Sequence, residues 1–318
     1  MRSLRNRMGA RLQQLDKVSL ASAQHERRER LARFAIWGVP ALWAVNYIVA
    51  RRAPGVVEPY SLALGRWALA GGLLAVAARQ ELWAQRRTIA VVWYQYVVLG
   101  FCGMLVCGAW VYVGAKTTAA MNISLIYSAS PVLIALGAVV LLGERFRLLQ
   151  AVGVVIALSG VVHVIVKGQW MALNHVQWVT GDAWIVAAMV AWALYALLQK
   201  LWPSPLGSTA RLAVICAGGV AVLLPCAAWE MLQSRTPDWS WTATGLVVTA
   251  ALAPGLAAYW IYGWAQKILG ASRVAVTLYL GPLYAALAAW SVLGEPLGWH
   301  HLAGAALILP GVYLVSKP

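Results

Sequence analysis

Residues 140–153 read VLLGERFRLLQAVG, and residues 291–304 read SVLGEPLGWHHLAG. Each holds Leu-Gly-Glu with a glycine nine positions after the glutamate: Glu144 to Gly153, and Glu295 to Gly304. The match runs on in both directions. Pro131 precedes Glu144 by 13 residues, as Pro282 precedes Glu295, and Gly160 follows Glu144 by 16, as Gly311 follows Glu295. All these positions are displaced by 151 between the copies. Upstream, Ala41-Leu42-Trp43-Ala44-Val45-Asn46 pairs with Val190-Ala191-Trp192-Ala193-Leu194-Tyr195 at a displacement of 149. A drift of two residues is ordinary loop variation, so the chain reads as one unit used twice. The copies differ in charge: Arg145 and Arg147 follow the first Leu-Gly-Glu, and no Lys or Arg follows the second.

Composition says what the unit is made of. Of 318 residues, 62% are hydrophobic and 11% charged, with a mean hydropathy of +0.71. A water-soluble domain has no use for that much apolar surface, so the chain is membrane class. Apolar runs near the roughly 20 residues that cross hydrocarbon lie at 34–50, 60–78, 93–115, 119–142, 146–166, 182–199, 210–230, 244–264, 272–293 and 298–315. The expected fold is therefore an all-α polytopic membrane protein of ten transmembrane helices. Residues 1–33 read as a retained basic cytoplasmic tail, 34–166 as a first five-helix repeat, 167–181 as a periplasmic linker and 182–318 as a second repeat. Nine of the 25 Lys and Arg fall in residues 1–34, and no small-x-small cleavage site follows the first apolar run. The net charge of +15 points to anionic lipid headgroups rather than nucleic acid. Cys102, Cys107, Cys216 and Cys226 sit singly in apolar runs, so neither a disulfide framework nor a metal site is indicated, and no cofactor is called for.

Five spans per unit is an odd number. A unit that starts inside ends outside, so equivalent helices of the two halves cross in opposite directions. That is the inverted-repeat architecture of secondary transporters, built around a central cavity. Lys and Arg placement agrees, with both termini inside: Arg79, Arg86, Arg87, Arg145, Arg147, Lys200, Arg211, Lys267, Arg273 and Lys317 join the tail on the inner side. Only Arg51, Arg52, Lys116, Lys167 and Arg235 fall outside. The charge difference between the two Leu-Gly-Glu corners follows, since one lies at an inner hairpin and the other at an outer one.

The doubled Leu-Gly-Glu…Gly…Gly pattern after a proline-bearing helix, with Trp43 and Trp192 in each unit's first helix, resembles the EamA family of the drug/metabolite transporter superfamily. The resemblance covers nearly the whole chain beyond residue 33. It implies ten helices in two inverted halves and transport by alternating access in a bacterial inner membrane, with amino acids among the substrates. The chain is similar in particular to the branch of aromatic and neutral amino-acid exporters.

Candidate functional residues divide by depth. Glu144 and Glu295 sit just past helices closed by Gly143 and Gly294; there a carboxylate caps free amides at the start of the next helix. They read as hairpin caps rather than proton carriers. His163 reads as packing. Arg66 is the one basic residue well inside a span; it either binds a substrate carboxylate or ties its helix to neighbouring backbone. A single Arg disfavours phosphorylated substrates, which want a cluster of cations. The remaining mid-depth candidates for substrate binding are Trp43, Asn46, Tyr127, Trp192, Tyr195, Trp260 and Tyr279. Pro131 and Pro282 free backbone carbonyls and permit bending. An aromatic, hydroxyl-rich cavity suits small neutral or zwitterionic metabolites, amino acids first. A nucleoside or vitamin precursor is the alternative. A polytopic enzyme would need clustered Asp, Glu or His at an interface, which the spacing does not offer. A cavity enclosed by ten helices lets a monomer work alone.

Overall fold

The structure is a computed structural model and describes residues 2–143, 148–171, 179–233, 239–269 and 280–316. Long apolar runs punctuated by Pro and Gly give helices, and no strand occurs among the described residues. The helices are α1 (Arg2–Arg52), α2 (Pro59–Ala77), the short α3 (Arg79–Ala84) and α4 (Arg86–Val91), and α5 (Trp93–Gly114). They continue with α6 (Ala120–Leu141), α7 (Leu148–Ile165), α8 (Thr180–Leu201), α9 (Ser208–Gln233), α10 (Trp241–Ala265), α11 (Gly281–Leu293) and α12 (Trp299–Ser316).

Among the described residues eight helices are long and apolar enough to cross a membrane, against ten expected. They are Glu26–Arg52 of α1, then α2 and α5 to α10. The first part of the ninth expected span, including Tyr279, lies outside the described residues, and α11 alone is too short. The α12 helix opens with Trp299-His300-His301, which dilutes its apolar character. Glu144, Arg145 and Arg147 also lie outside the described residues, as does 172–178 of the expected linker. At the other end, the expected boundary after residue 33 is no break. The α1 helix runs through residue 33 and on through Pro40, from Arg2 to Arg52.

The paired motif glycines account for a close crossing of α7 and α12. A Cβ on Gly311 of α12 would lie 2.6 Å from the Ala157 nitrogen and 2.7 Å from the Gly153 oxygen of α7. A Cβ on Gly160 of α7 would lie 2.7 Å from Ile308 Cγ1 of α12, and one on Gly304 would lie 3.4 Å from the Gly160 oxygen. Only a residue without a side chain permits that approach. Gly153 therefore meets Gly311 while Gly160 meets Gly304, so exchanging the copies leaves the pattern unchanged. The hairpin glycines Gly143 and Gly294 share a φ of 67°, the left-handed helix-end conformation that glycine adopts without strain.

Helix starts are capped across the two halves in the same reciprocal way. Glu230, late in α9, accepts from the Tyr60 and Ser61 backbone nitrogens at 3.2 and 2.9 Å at the start of α2. Glu81 of α3 accepts from the Gly207 nitrogen just before α9. Glu81 and Glu230 are 149 residues apart, the displacement seen upstream in the sequence. The π-helical stretches are related too: Phe101–Ala109 in α5 and Ala251–Ala257 in α10 begin 150 residues apart. Pro254 lies in the second, where it removes a backbone donor.

Candidate functional site

The central cavity is walled by both halves, with α1, α2, α5 and α6 on one side and α8, α10 and α11 on the other. It holds about 1060 Å³ of unfilled space, open mouth included, within the size of small-molecule sites. Rings dominate its wall. Tyr259 of α10 is the hub: Trp67, Trp43 and Trp192 each meet it nearly edge-on, with centroids 5.8, 6.2 and 6.3 Å away. Tyr262, one turn on, lies 5.5 Å from Trp43. The repeat-related Trp43 and Trp192 thus converge on one ring. Edge-to-face packing of this kind fixes ring positions as well as burying area.

Besides the tyrosines of α10, the polar groups sit on α1, α2, α5 and α6. Tyr127 donates to the Cys107 carbonyl at 3.1 Å, and its oxygen lies 3.2 Å from Cys107 Sγ. The α6 helix breaks at Ala129, beside Pro131, and Ser128 turns its hydroxyl back to the Leu125 carbonyl at 2.7 Å. Arg66 is 4% exposed. Its Nη1 donates to Asn46 Oδ1 at 2.8 Å and to the Tyr112 hydroxyl at 2.9 Å. Tyr112 in turn donates to Asn46 Oδ1 at 2.8 Å, and the guanidinium carbon stands 4.4 Å over the Trp67 ring. Arg66 is the one charged side chain among the described residues lining the cavity.

At the Arg51 end of the bundle the two halves are joined. Arg51 Nε pairs with Glu295 Oε1 at 2.8 Å, its Nη1 donates to the Ala115 carbonyl at 2.8 Å, and Arg52 donates to the Val292 carbonyl at 3.1 Å. Glu295 Oε2 accepts from the Ala120 nitrogen at 3.0 Å. This corrects the expected cap: Glu295 serves the start of α6 in the other half, not the helix that follows it. There, His301 takes over, accepting from the Gly298 nitrogen at 3.1 Å and reaching Asn122 Oδ1 at 3.1 Å. Thr118 donates to the buried Asp182, and the Gly181 nitrogen donates to Thr117 at 3.0 Å.

Of the residues singled out in the sequence, Trp43, Asn46, Arg66, Tyr127, Pro131, Trp192 and Pro282 stand on the cavity wall. Pro282 is in the first turn of α11 rather than mid-helix within the described residues. Two candidates stand elsewhere. Tyr195 is buried behind Trp192, its ring stacked at 5.4 Å. Trp260 is 52% exposed and stacks on Trp264 at 6.2 Å, in a small outer groove with Leu74, Ser208 and Leu212. Successive residues on a helix point about 100° apart, so Tyr259 and Tyr262 share the inward face and Trp260 is turned from it. Sequence reading passed over Trp67, Tyr112, Tyr259 and Tyr262. The i, i+3 tyrosine pair on α10 was the available signal. Among the described residues no group of three His, Cys, Asp or Glu is placed to hold a metal.

The sequence profile of the EamA-like transporter family matches twice, over residues 31–166 and 179–317. The chain is 26% identical over 282 residues to the uncharacterized transporter YyaM of Bacillus subtilis, covering 88% of this chain and 91% of that one. It is 30% identical over 290 residues to a probable terminal-alkyne amino-acid exporter of Streptantibioticus cattleyicolor, with coverages of 89% and 93%. An uncharacterized transporter of Archaeoglobus fulgidus is 25% identical over 277 residues. A solved crystal structure superposes with a TM-score of 0.61 at 17% identity, covering 89% of this chain and 97% of that one. At that identity the likeness shows the fold.

Proposed function

From the premise that the chain belongs to the EamA-like transporter family and is a multi-span membrane protein, we propose that it exports small neutral or zwitterionic metabolites by alternating access. Aromatic and neutral amino acids come first among these. The carrying observation is the cavity shared by both halves, with rings meeting at Tyr259 and a single charge at Arg66. An apolar side chain gains about 25 cal/mol for each Å² taken out of water, and the rings offer that surface while hydroxyls and Arg66 receive polar groups. The relative from Streptantibioticus cattleyicolor named as an amino-acid exporter supports the same substrate class.

Ten helices in two inverted five-helix halves remain the reading for the whole bundle. The reciprocal glycine contacts of α7 and α12 and the reciprocal caps at Glu81 and Glu230 support it, because an approximate two-fold axis requires contacts in exchanged pairs. Enrichment of Lys and Arg on one side supports the reading of both termini as cytoplasmic, with the bundle in a bacterial inner membrane. That the residues of one chain line the cavity supports a monomer as the transporting unit.

Proteoliposomes loaded with labelled amino acids should release an aromatic or neutral one faster than protein-free vesicles. Trp43→Ala and Trp192→Ala should each slow that release about tenfold, since each removes a ring from the Tyr259 cluster. Release at the protein-free rate for every amino acid refutes the amino-acid reading.

A further inference from the structure

Arg66 stands in the cavity wall as a cation that no described group neutralises. Its two hydrogen-bond acceptors, Asn46 Oδ1 and the Tyr112 hydroxyl, are neutral and both take hydrogens of Nη1. They hold the guanidinium in place and leave its charge uncompensated. Nε is buried and has no acceptor. No carboxylate lines the cavity among the described residues. The described ion pairs, Arg33–Glu29, Arg51–Glu295 and Lys116–Glu58, all involve other cations. A charge taken out of water without a partner is strongly unfavourable, and guanidinium donors fit a carboxylate in planar, paired geometry.

Resting on the transporter reading above, we infer that the substrate is recognised through a carboxylate received by Arg66, and that an amino group is not required. The charge balance orders three versions of one solute. A monocarboxylate leaves the occupied site neutral. An amino acid satisfies Arg66 equally but brings an ammonium for which the described wall offers neutral acceptors and ring faces and no carboxylate. An amine or amide without the carboxylate adds a second positive charge beside Arg66. Dianions are excluded by the converse argument, since one cation cannot neutralise two charges. The site therefore takes small solutes with one carboxylate and an aromatic or other apolar side chain, amino acids being the subset that also carries an ammonium.

The test is self-exchange into proteoliposomes of three labelled solutes with the same ring: phenylalanine, 3-phenyllactate and phenylalaninamide, each corrected for protein-free vesicles. Wild type should carry 3-phenyllactate at least as fast as phenylalanine, and the amide at no more than a tenth of that rate. Arg66→Gln should slow both acids tenfold or more, and Arg66→Lys should retain more of that flux than Arg66→Gln. Where Arg66→Gln does not purify as a folded protein, the wild-type ranking decides alone. The inference is overturned if the amide moves within threefold of the acids, if 3-phenyllactate is tenfold slower than phenylalanine, or if folded Arg66→Gln keeps the acid preference. If none of the three moves but uridine does, the carboxylate inference falls and the transporter reading stands. If no solute of a broad panel moves, both fall.

Discussion

Asn46 is the pivot of the polar corner, because its Oδ1 accepts from both Arg66 and Tyr112. Tyr112→Phe deletes one acceptor of Arg66 Nη1 together with the Tyr112–Asn46 bond, and Asn46→Ala deletes the other acceptor together with that same bond, so each removes two of the three hydrogen bonds. A hydrogen bond to a charged group contributes about 1.5–3 kcal/mol in water-soluble proteins, and interhelical bonds in membranes average nearer 0.6 kcal/mol. Tyr112→Phe and Asn46→Ala should therefore each cost about 1–2 kcal/mol, read as thermal unfolding midpoints in detergent that fall by similar amounts. An Asn46→Ala protein as stable as wild type would mean that Arg66 is positioned by something else. At this scale the sequence was readable where composition is unusual: an arginine inside a span and tryptophans repeated at 43 and 192. It was silent on Tyr112. Most of the spans are apolar on nearly every face and carry little periodicity to say which ring faces inward; on α10 the i, i+3 spacing of Tyr259 and Tyr262 was the one cue that separates Tyr259 from its neighbour Trp260.

Glycines decide how the helices approach. A Cβ on Gly100 of α5 would overlap the backbone of Gly218 and Gly219 in α9, whereas one on Gly72 of α2 would meet nothing within 4 Å. Backbone cannot turn aside as a flexible side chain can. Gly100→Ala should force α5 and α9 apart and destabilise the fold by about 1–3 kcal/mol. Gly72→Ala should be neutral or slightly stabilising, since Ala is the better helix former. Comparing the two midpoints checks this, and equal midpoints would show that the α5–α9 crossing has slack. The motif glycines Gly153, Gly160, Gly304 and Gly311 were visible as a spacing before their purpose was. Spacing reveals repetition, but that Gly153 meets Gly311 follows only once α7 and α12 are packed. The break in α6 was legible because Pro131 cannot continue the hydrogen-bond ladder. The π-helical stretches carry no comparable local signal; only Pro254 marks one of them.

Access is a property of the whole bundle, and the described contacts place a seal at one end of it. Arg51 lies five residues beyond Asn46 on α1, about 7–8 Å along the axis at 1.5 Å per residue. Just past the polar corner of the cavity, the Arg51–Glu295 pair, the Arg52–Val292 bond, the Thr118–Asp182 bond and the Asn122–His301 bond all join one half to the other. Under the alternating-access proposal, a solute that crosses parts these contacts. In sequence the counterparts of Arg51 and Glu295 are Lys200 and Glu144, so the doubled Leu-Gly-Glu pattern marks corresponding positions in the two halves. The consequence is measurable with Cys102, Cys107, Cys216 and Cys226 replaced by alanine, and cysteine placed at both 51 and 295. Joining positions 51 and 295 with a short cleavable bis-thiosulfonate should stop self-exchange in proteoliposomes, and reduction should restore it. Either cysteine alone, treated the same way, should leave the rate near that of its untreated form. Exchange that continues undiminished through a fully cross-linked protein would mean that the Arg51 end does not open during transport, and that the two halves do not move against each other there.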